Sequence, residues 1–310
     1  MLLEVFFKDE WFDNFAFLNI REVLQQVDDL MLIHYAVPIM LSLVGLEIFL
    51  GYITKRQQYS GRDLAGSVMI GLGNLLTTAI TKIPLFILIL WCITIVPWRI
   101  PNTWWSYVLC LVSLDFFRYW AHRVAHEQRI WWATHVPHHS SEKYNFSVSF
   151  RLSWVQQFKA IFFLPVAFMG FDPLTFFIIH QIEVLYQFWI HTEFIRKLPK
   201  PIEYIFTTPS HHRVHHAVNK KYMDRNYGST FIIWDRIFGT FQPEEEQAVY
   251  GITKPLTTIN PLVGVFHEFA AIGRDFSNSK GLKQRLRVLF GSPNNPSSYP
   301  DGEVGDTTTV

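Results

Sequence analysis

Long apolar runs alternate along this chain with short polar segments, and histidine gathers in the polar segments at the ends of the runs. The first run, LMLIHYAVPIMLSLVGLEIFLGYI, covers residues 30–53. At 1.5 Å per helical residue it reaches about 36 Å, enough for a bilayer core of roughly 30 Å. TKRQQYSGRD follows, and its Lys55, Arg56 and Arg62 mark the cytoplasmic side by the positive-inside rule. The second run, residues 66–98, is interrupted by Gly71, Gly73, Lys82 and Pro84. A single kinked span is expected there, because the charge balance then stays consistent downstream. A third run, SYVLCLVSLDFFRYWAHRVAHE, returns to the cytoplasmic side at Arg118, Arg123 and Arg129. Residues 154–171 and 173–190 read as a hairpin of two spans broken at Phe171-Asp172-Pro173, which brings His191 to the same side.

This pattern predicts an all-α, multi-pass integral membrane protein with about four to five transmembrane helices and a cytoplasmic histidine-rich helical cap. Residues 1–29 read as an N-terminal interfacial segment without the basic start and apolar core of a cleavable signal peptide. Residues 30–250 form the membrane domain with its cap. Residues 251–292 form an amphipathic segment with Lys280, Lys283, Arg285 and Arg287, suited to a membrane surface. The Pro/Ser/Gly-rich tail, 293–310, reads as disordered.

Composition agrees with a bilayer as solvent. Apolar residues make up 49% of the chain, aromatics 16% and charged residues 17%, against roughly 25% charged in a typical soluble domain. A formal net charge of +1 gives no reason to expect a nucleic-acid partner. Cys92 and Cys110 both lie in apolar runs, which leaves no disulfide framework and no thiolate metal site.

The candidate chemistry is imidazole. HRVAH gives His122 and His126; HVPHH gives His135, His138 and His139; HHRVHH gives His211, His212, His215 and His216. Residues three and four apart share one helix face, so each group can aim several rings at a common centre. Pro137 disfavours helix at Val136, which predicts that His138 and His139 begin a helix with His135 just before it. Neutral imidazole binds iron, zinc, copper or nickel, and eight or more rings exceed what one ion can use. Two ions sharing the set is the economical solution. A pair of irons could activate O2 and a pair of zincs could hydrolyse an ester or amide, and ligand type does not separate these. Placement at the membrane edge suits a substrate with a buried hydrocarbon tail.

At these residues the sequence resembles the fatty acid hydroxylase/sterol desaturase superfamily, whose HxxxH, HxxHH and HxxHH boxes occur in this order around a membrane hairpin. HRVAHE, HHSSEKYN, FWIHT, PSHHRVHH and NYGSTFIIWDRIFGTF, spread over residues 105–245, are most similar to its ether-lipid branch. The resemblance implies a di-iron oxygenase that hydroxylates a lipid (ether lipid, fatty acyl chain or sterol) with O2; purified protein could carry zinc. It implies His122, His126, His135, His138, His139, His191, His212, His215 and His216 as metal ligands, with His211 a possible tenth. The reductant would be tetrahydrobiopterin or an electron-transfer protein. Glu127 matches an acidic position of the ether-lipid branch and is a candidate catalytic residue behind the ligands.

Asp115, seven residues before His122, is a second catalytic candidate: a carboxylate at that depth needs a partner, either a ligand imidazole or Arg118. Gly228 is expected to supply an unusual φ, and Trp234-Asp235-Arg236 to close the cap by hydrogen bonds and an ion pair. Trp131 and Trp132 read as part of an interfacial aromatic belt or as lining of a substrate path. Two other functions compete. A desaturase of the same class would remove two hydrogens instead of adding oxygen. A membrane metal transporter or storage protein would string ligands along a crossing path rather than gather them at one face.

Overall fold

All regular structure among the described residues is helical, in a computed structural model that describes residues 32–56 and 58–294. The only strand-like features among the described residues are isolated bridges between Phe206 and Phe231 and between Ala217 and Tyr250. The expected N-terminal interfacial segment, 1–29, and nearly all of the expected disordered tail, 295–310, lie outside the described residues.

Helices α1 (Leu32–Ile53) and α2 (Gly61–Ile95) carry the first two apolar runs. They alone among the described helices are long and apolar enough to cross a membrane. The second run is one helix despite Pro84, as its charge balance suggested. Its start is set by Ser60, whose side chain accepts the Asp63 N–H. At about 52 Å α2 outruns a bilayer core, and its first half packs on the 3-10 turn Phe146–Phe150. There Gly73 lies against the Trp154 indole, where any side chain would collide. Apolar side chains on α1 and α2 stay outward: Ile39 is 60% exposed and Leu76 67%. Surface of that kind requires a nonaqueous neighbour.

Helix α3 (Trp104–Glu127) carries the third run and packs on the 17-residue helix described below. Helices α4 (Arg129–Trp132) and α5 (Val136–His139) follow at once, with His135 just ahead of α5 as Pro137 required. Residues 154–171 differ from expectation. Instead of a continuous span they form a 3-10 segment, Gln156–Phe163, and the short α6 (Leu164–Ala167). The next helix, α7 (Pro173–Trp189), starts where predicted, with the Asp172 side chain accepting the Thr175 N–H.

The remaining helices are shorter: α8 (Lys200–Ile205), α9 (Pro209–His215) and α10 (Ile233–Ile237). The amphipathic segment forms two helices, α11 (Pro261–Asn278) and α12 (Leu282–Phe290). Ile272 and Val288 close over Ala133. Buried Arg129 bonds Glu268 at 2.6 Å and Asp275 at 2.6 Å, both on α11, which pins that helix beside the histidine-bearing turn.

Two carboxylates inside apolar helices have polar partners. Glu47 on α1, 2% exposed, accepts the hydroxyls of Tyr59 and Thr192 and the Phe146 N–H. Glu183 on α7 pairs with Arg118 at 3.0 Å. Glu47 ties α1 to the segments around Tyr59, Phe146 and Thr192, and Glu183 ties α7 to α3.

Candidate metal centre

The histidines of α3, α5, α9 and the end of α7 converge into two adjoining groups. His122, His126, His135, His139 and His215 form one; His138, His191, His212 and His216 form the other. Within each group one ring nitrogen per residue lies within 4.8 Å of all the others. Helix α3 presents His122 and His126 one turn apart, and α5 divides its pair, sending His139 to the first group and His138 to the second. In α9, the same turn of helix sends His215 one way and His212 the other.

Hydrogen bonds fix which nitrogen faces inward. His122 Nδ1 lies 2.9 Å from the Tyr227 carbonyl, His215 Nδ1 3.1 Å from that of Arg225, and His191 Nδ1 2.7 Å from that of Gln187. A carbonyl only accepts, so each Nδ1 carries the proton and each Nε2 keeps its lone pair. Burial first, then neighbouring imidazoles, holds His135, His138, His139, His212, His215 and His216 well below the ordinary histidine value, and Lys159 adds to this at His135 and His138. Burial brings His191 to about 4. These rings are neutral at physiological pH, the form that binds metal.

Their spacing fits a metal. In the second group His138 Nε2 is 3.2 Å from His191 Nε2, which is 3.0 Å from His212 Nε2, which is 3.2 Å from His216 Nε2. Ligand nitrogens about 2.0–2.1 Å from a shared ion would stand about 2.9–3.4 Å apart at tetrahedral or octahedral angles. In the first group the buried Nε2 atoms of His122, His126 and His215 have no hydrogen-bond partner. Neutral rings with converging, unpaired nitrogens are a donor set suited to a metal ion.

The loop after α9 supplies two of the three carbonyls. Asp224 and Asn226 both adopt left-handed backbone, φ 56° and 55°, which short polar side chains tolerate. The Asn226 side chain locks that shape through the carbonyls of His211 and Gln242 and the Gln242 N–H. Asp235 accepts the N–H groups of Tyr227 and Gly228 and the Thr240 hydroxyl. Gly228 is needed for a different reason than expected: its φ is ordinary, but a Cβ would fall 2.5 Å from the Phe231 carbonyl and 2.9 Å from the Asp235 carboxylate.

Three expected site residues stand elsewhere. His211 belongs to neither group; it turns to Glu203, 3.1 Å away. Glu127 is 46% exposed at its side chain and pairs with Arg123 on the surface. Asp115 touches no imidazole and does not bond Arg118. It accepts the N–H groups of Thr230 and Phe231 and the Trp234 indole N–H, anchoring the loop that carries Tyr227. Arg236 bonds the carbonyls of Tyr204 and Glu203 rather than an acidic partner.

Sequence reasoning left two polar groups out of the site: Asp224, read only as part of a turn, whose carboxylate lies 3.6 Å from His126 Nδ1, and Lys159. Neither sits in a motif that periodicity marks. Trp132 is fully buried and packs on His126 and His139, so it walls the first group instead of joining an interfacial belt. Tyr144, 2% exposed, walls the second, with its ring 5.3 Å from that of His216 and its hydroxyl on the Ile190 carbonyl.

The fatty acid hydroxylase family model matches residues 107–240, the stretch that supplies every histidine of both groups. The chain is 46% identical over 199 residues to alkylglycerol monooxygenase of Xenopus tropicalis, covering 64% of this chain and 43% of that protein. It is 39% identical over 280 residues to alkylglycerol monooxygenase of Homo sapiens, covering 88% and 61%. Ornithine lipid hydroxylase OlsE of Rhizobium tropici is 31% identical over 160 residues, 49% of this chain and 48% of that one. The chain thus spans 43% and 61% of the two alkylglycerol monooxygenases. No solved structure matches it.

Proposed function

Because the chain carries a fatty acid hydroxylase domain, we propose that it is an integral-membrane oxygenase that hydroxylates a lipid with O2, using two iron ions held by the two histidine groups. The observation that carries this reading is the division of nine imidazoles, seven of them buried, into adjoining sets of five and four with converging nitrogens. When bound, the metal pair supplies the activation of O2 that attack on an unactivated C–H bond requires.

The chain's own residues do the rest. The carbonyls of Tyr227, Arg225 and Gln187 hold His122, His215 and His191 in the tautomer that offers Nε2 inward. Trp132 and Tyr144 keep water from the ring nitrogens on either side. The exposed apolar residues of α1 and α2 meet lipid in this reading, which brings a hydrocarbon-tailed substrate to the protein within the bilayer. In this reading α1, α2, α3 and α7 are the spans, residues 30–250 are the membrane domain, and α11 and α12 rest on the bilayer surface. The histidines lie on the cytoplasmic side, set by Lys55, Arg56 and Arg62.

The conversion takes RH, O2, two electrons and two protons to ROH and water, so an external reductant is required, either tetrahydrobiopterin or an electron-transfer protein. Ether lipids are the first substrate class to try, since two of the relatives above are named for alkylglycerols. Purified protein should hold close to two metal ions. His138→Ala and His215→Ala should each abolish O2-dependent oxidation of an alkylglycerol, followed by mass spectrometry of the product. Activity retained in both variants refutes the proposal, and a product lighter by two hydrogens rather than heavier by one oxygen makes it a desaturase.

A further inference from the structure

Buried ionisable groups in the apolar stretches of this chain have partners built for them. Glu47 has Tyr59, Thr192 and the Phe146 N–H; Asp115 has the 230–234 turn; Arg118 has Glu183 and His180. Lys159 is different. It sits in the 3-10 segment Gln156–Phe163, where a continuous span was expected, and its ammonium makes no hydrogen bond or ion pair among the described residues.

The segment's outer side is apolar, with Phe158 69% and Ile161 57% exposed. Lys159 is only partly exposed, in a segment that packs on α3, the helix of His122 and His126, and whose Phe162 ring lies 5.1 Å from that of Trp131; its charge bears on His135 and His138, one from each histidine group. The other charge acting on it is Arg118, of like sign. Irregular backbone at membrane depth is tolerated where it lines a cavity, and an ionisable residue there needs an acceptor. The acceptors available to a group facing lipid on one side and the histidines on the other are lipid oxygens.

Resting on the oxygenase reading, we infer that Lys159 binds the lipid substrate by donating a hydrogen bond to its oxygen nearest the carbon to be oxidised. An ether oxygen and a carboxylate share that chemistry. Such a contact selects lipids by where their first oxygen lies along the chain, and fixes which carbon faces the metal ligands.

The test measures binding without turnover, to full-length protein in nanodiscs with no reductant present. Three ligands of equal chain length are compared: an alkylglycerol, the diol with a methylene in place of the ether oxygen, and a fatty acid. Wild type should bind at least one oxygen-bearing ligand about tenfold tighter than the methylene diol, the worth of one charge-assisted hydrogen bond. Lys159→Met should erase that preference and Lys159→Arg should retain it, with metal content unchanged in both. Loss of the alkylglycerol preference assigns the ether oxygen; loss of fatty-acid affinity assigns the carboxylate. A wild-type protein that binds all three alike overturns the inference before any variant is made, and so does a Lys159→Met protein with wild-type preferences. Metal content and turnover of the wild type test the oxygenase reading separately, because the ligand series reads Lys159 alone.

Discussion

In the group of five, two of the rings are oriented by a loop: His122 and His215 donate to the carbonyls of Tyr227 and Arg225, which Asp115 and Asp235 hold from a distance in sequence. In the group of four, His191 is oriented by its own helix, donating to Gln187 four residues back, and the nitrogens of its neighbours already lie 3.0–3.2 Å apart. The two groups use one kind of side chain on two kinds of scaffold. A group ordered by a loop depends on remote hydrogen bonds; a group ordered by a helix end depends on local geometry. The two should therefore fail separately.

The strongest challenge to that view is removal of a ligand from one group at a time. His122→Ala should empty the group of five and His212→Ala the group of four. Each should lose about one of two metals by elemental analysis and at least about 100-fold in lipid oxidation, beyond the 10–100-fold typical for residues that only support a ligand. A variant that loses both metals would merge the groups into one unit and end the comparison. Asp235→Ala strikes the loop. It leaves two buried N–H groups unpaired, expected to cost about 3 kcal/mol in thermal or chemical unfolding. It should weaken metal at the group of five by about tenfold or more while the group of four keeps its ion. Equal loss from both groups would show that the loop supports them jointly.

The smallest effect falls outside both groups. Burial pushes Glu203 up, but bonds from His211, the Leu198 N–H, Ser210 and Thr208 outweigh it and hold the carboxyl at about 2. A depressed carboxylate stabilises the fold above its unfolded value and stops doing so as pH falls through the folded one. Glu203→Gln should therefore cost about 1–2 kcal/mol near neutral pH. The difference from wild type should shrink between about pH 4.5 and pH 2, with two metals bound throughout the neutral range. Loss of metal in this variant would draw His211 back into the centre.

Much of this molecule can be read from its sequence. The start of α7 at Asp172-Pro173 and the helix beginning after His135 follow from capping and proline rules that act over a few residues. The unbroken α2 across Pro84 followed from charge balance, a constraint of similar simplicity. The failures share a cause. Residues 154–171 are apolar enough for a span, yet Gln157 and Trp154 bond α2 at Thr78 and Ile70, and the backbone follows them. Asp115 was expected to meet an imidazole or Arg118 because only chain neighbours could be considered for it; its partners lie at 230–234. His211 shares a motif with three converging histidines, but on a short helix the ring one position earlier points the other way, to Glu203.

What the sequence determined by itself is the apolar periodicity that makes the chain helical and membrane-bound, and the spacing that puts imidazoles on shared faces. Both are local properties, set by side-chain type and by a repeat of 3.6 residues. Only the tertiary structure decided how nine rings divide into five and four, which nitrogen of His122, His215 and His191 carries the proton, and which carboxylates hold the loop rather than a ring. The His122 contact to Tyr227 and the Asp115 contacts to the 230–234 turn join residues scores of positions apart, while His191 and His215 bond carbonyls four and ten residues away that only the folded backbone presents to them. Their free energies depend on burial and hydrogen-bond geometry that exist only once the helices have packed.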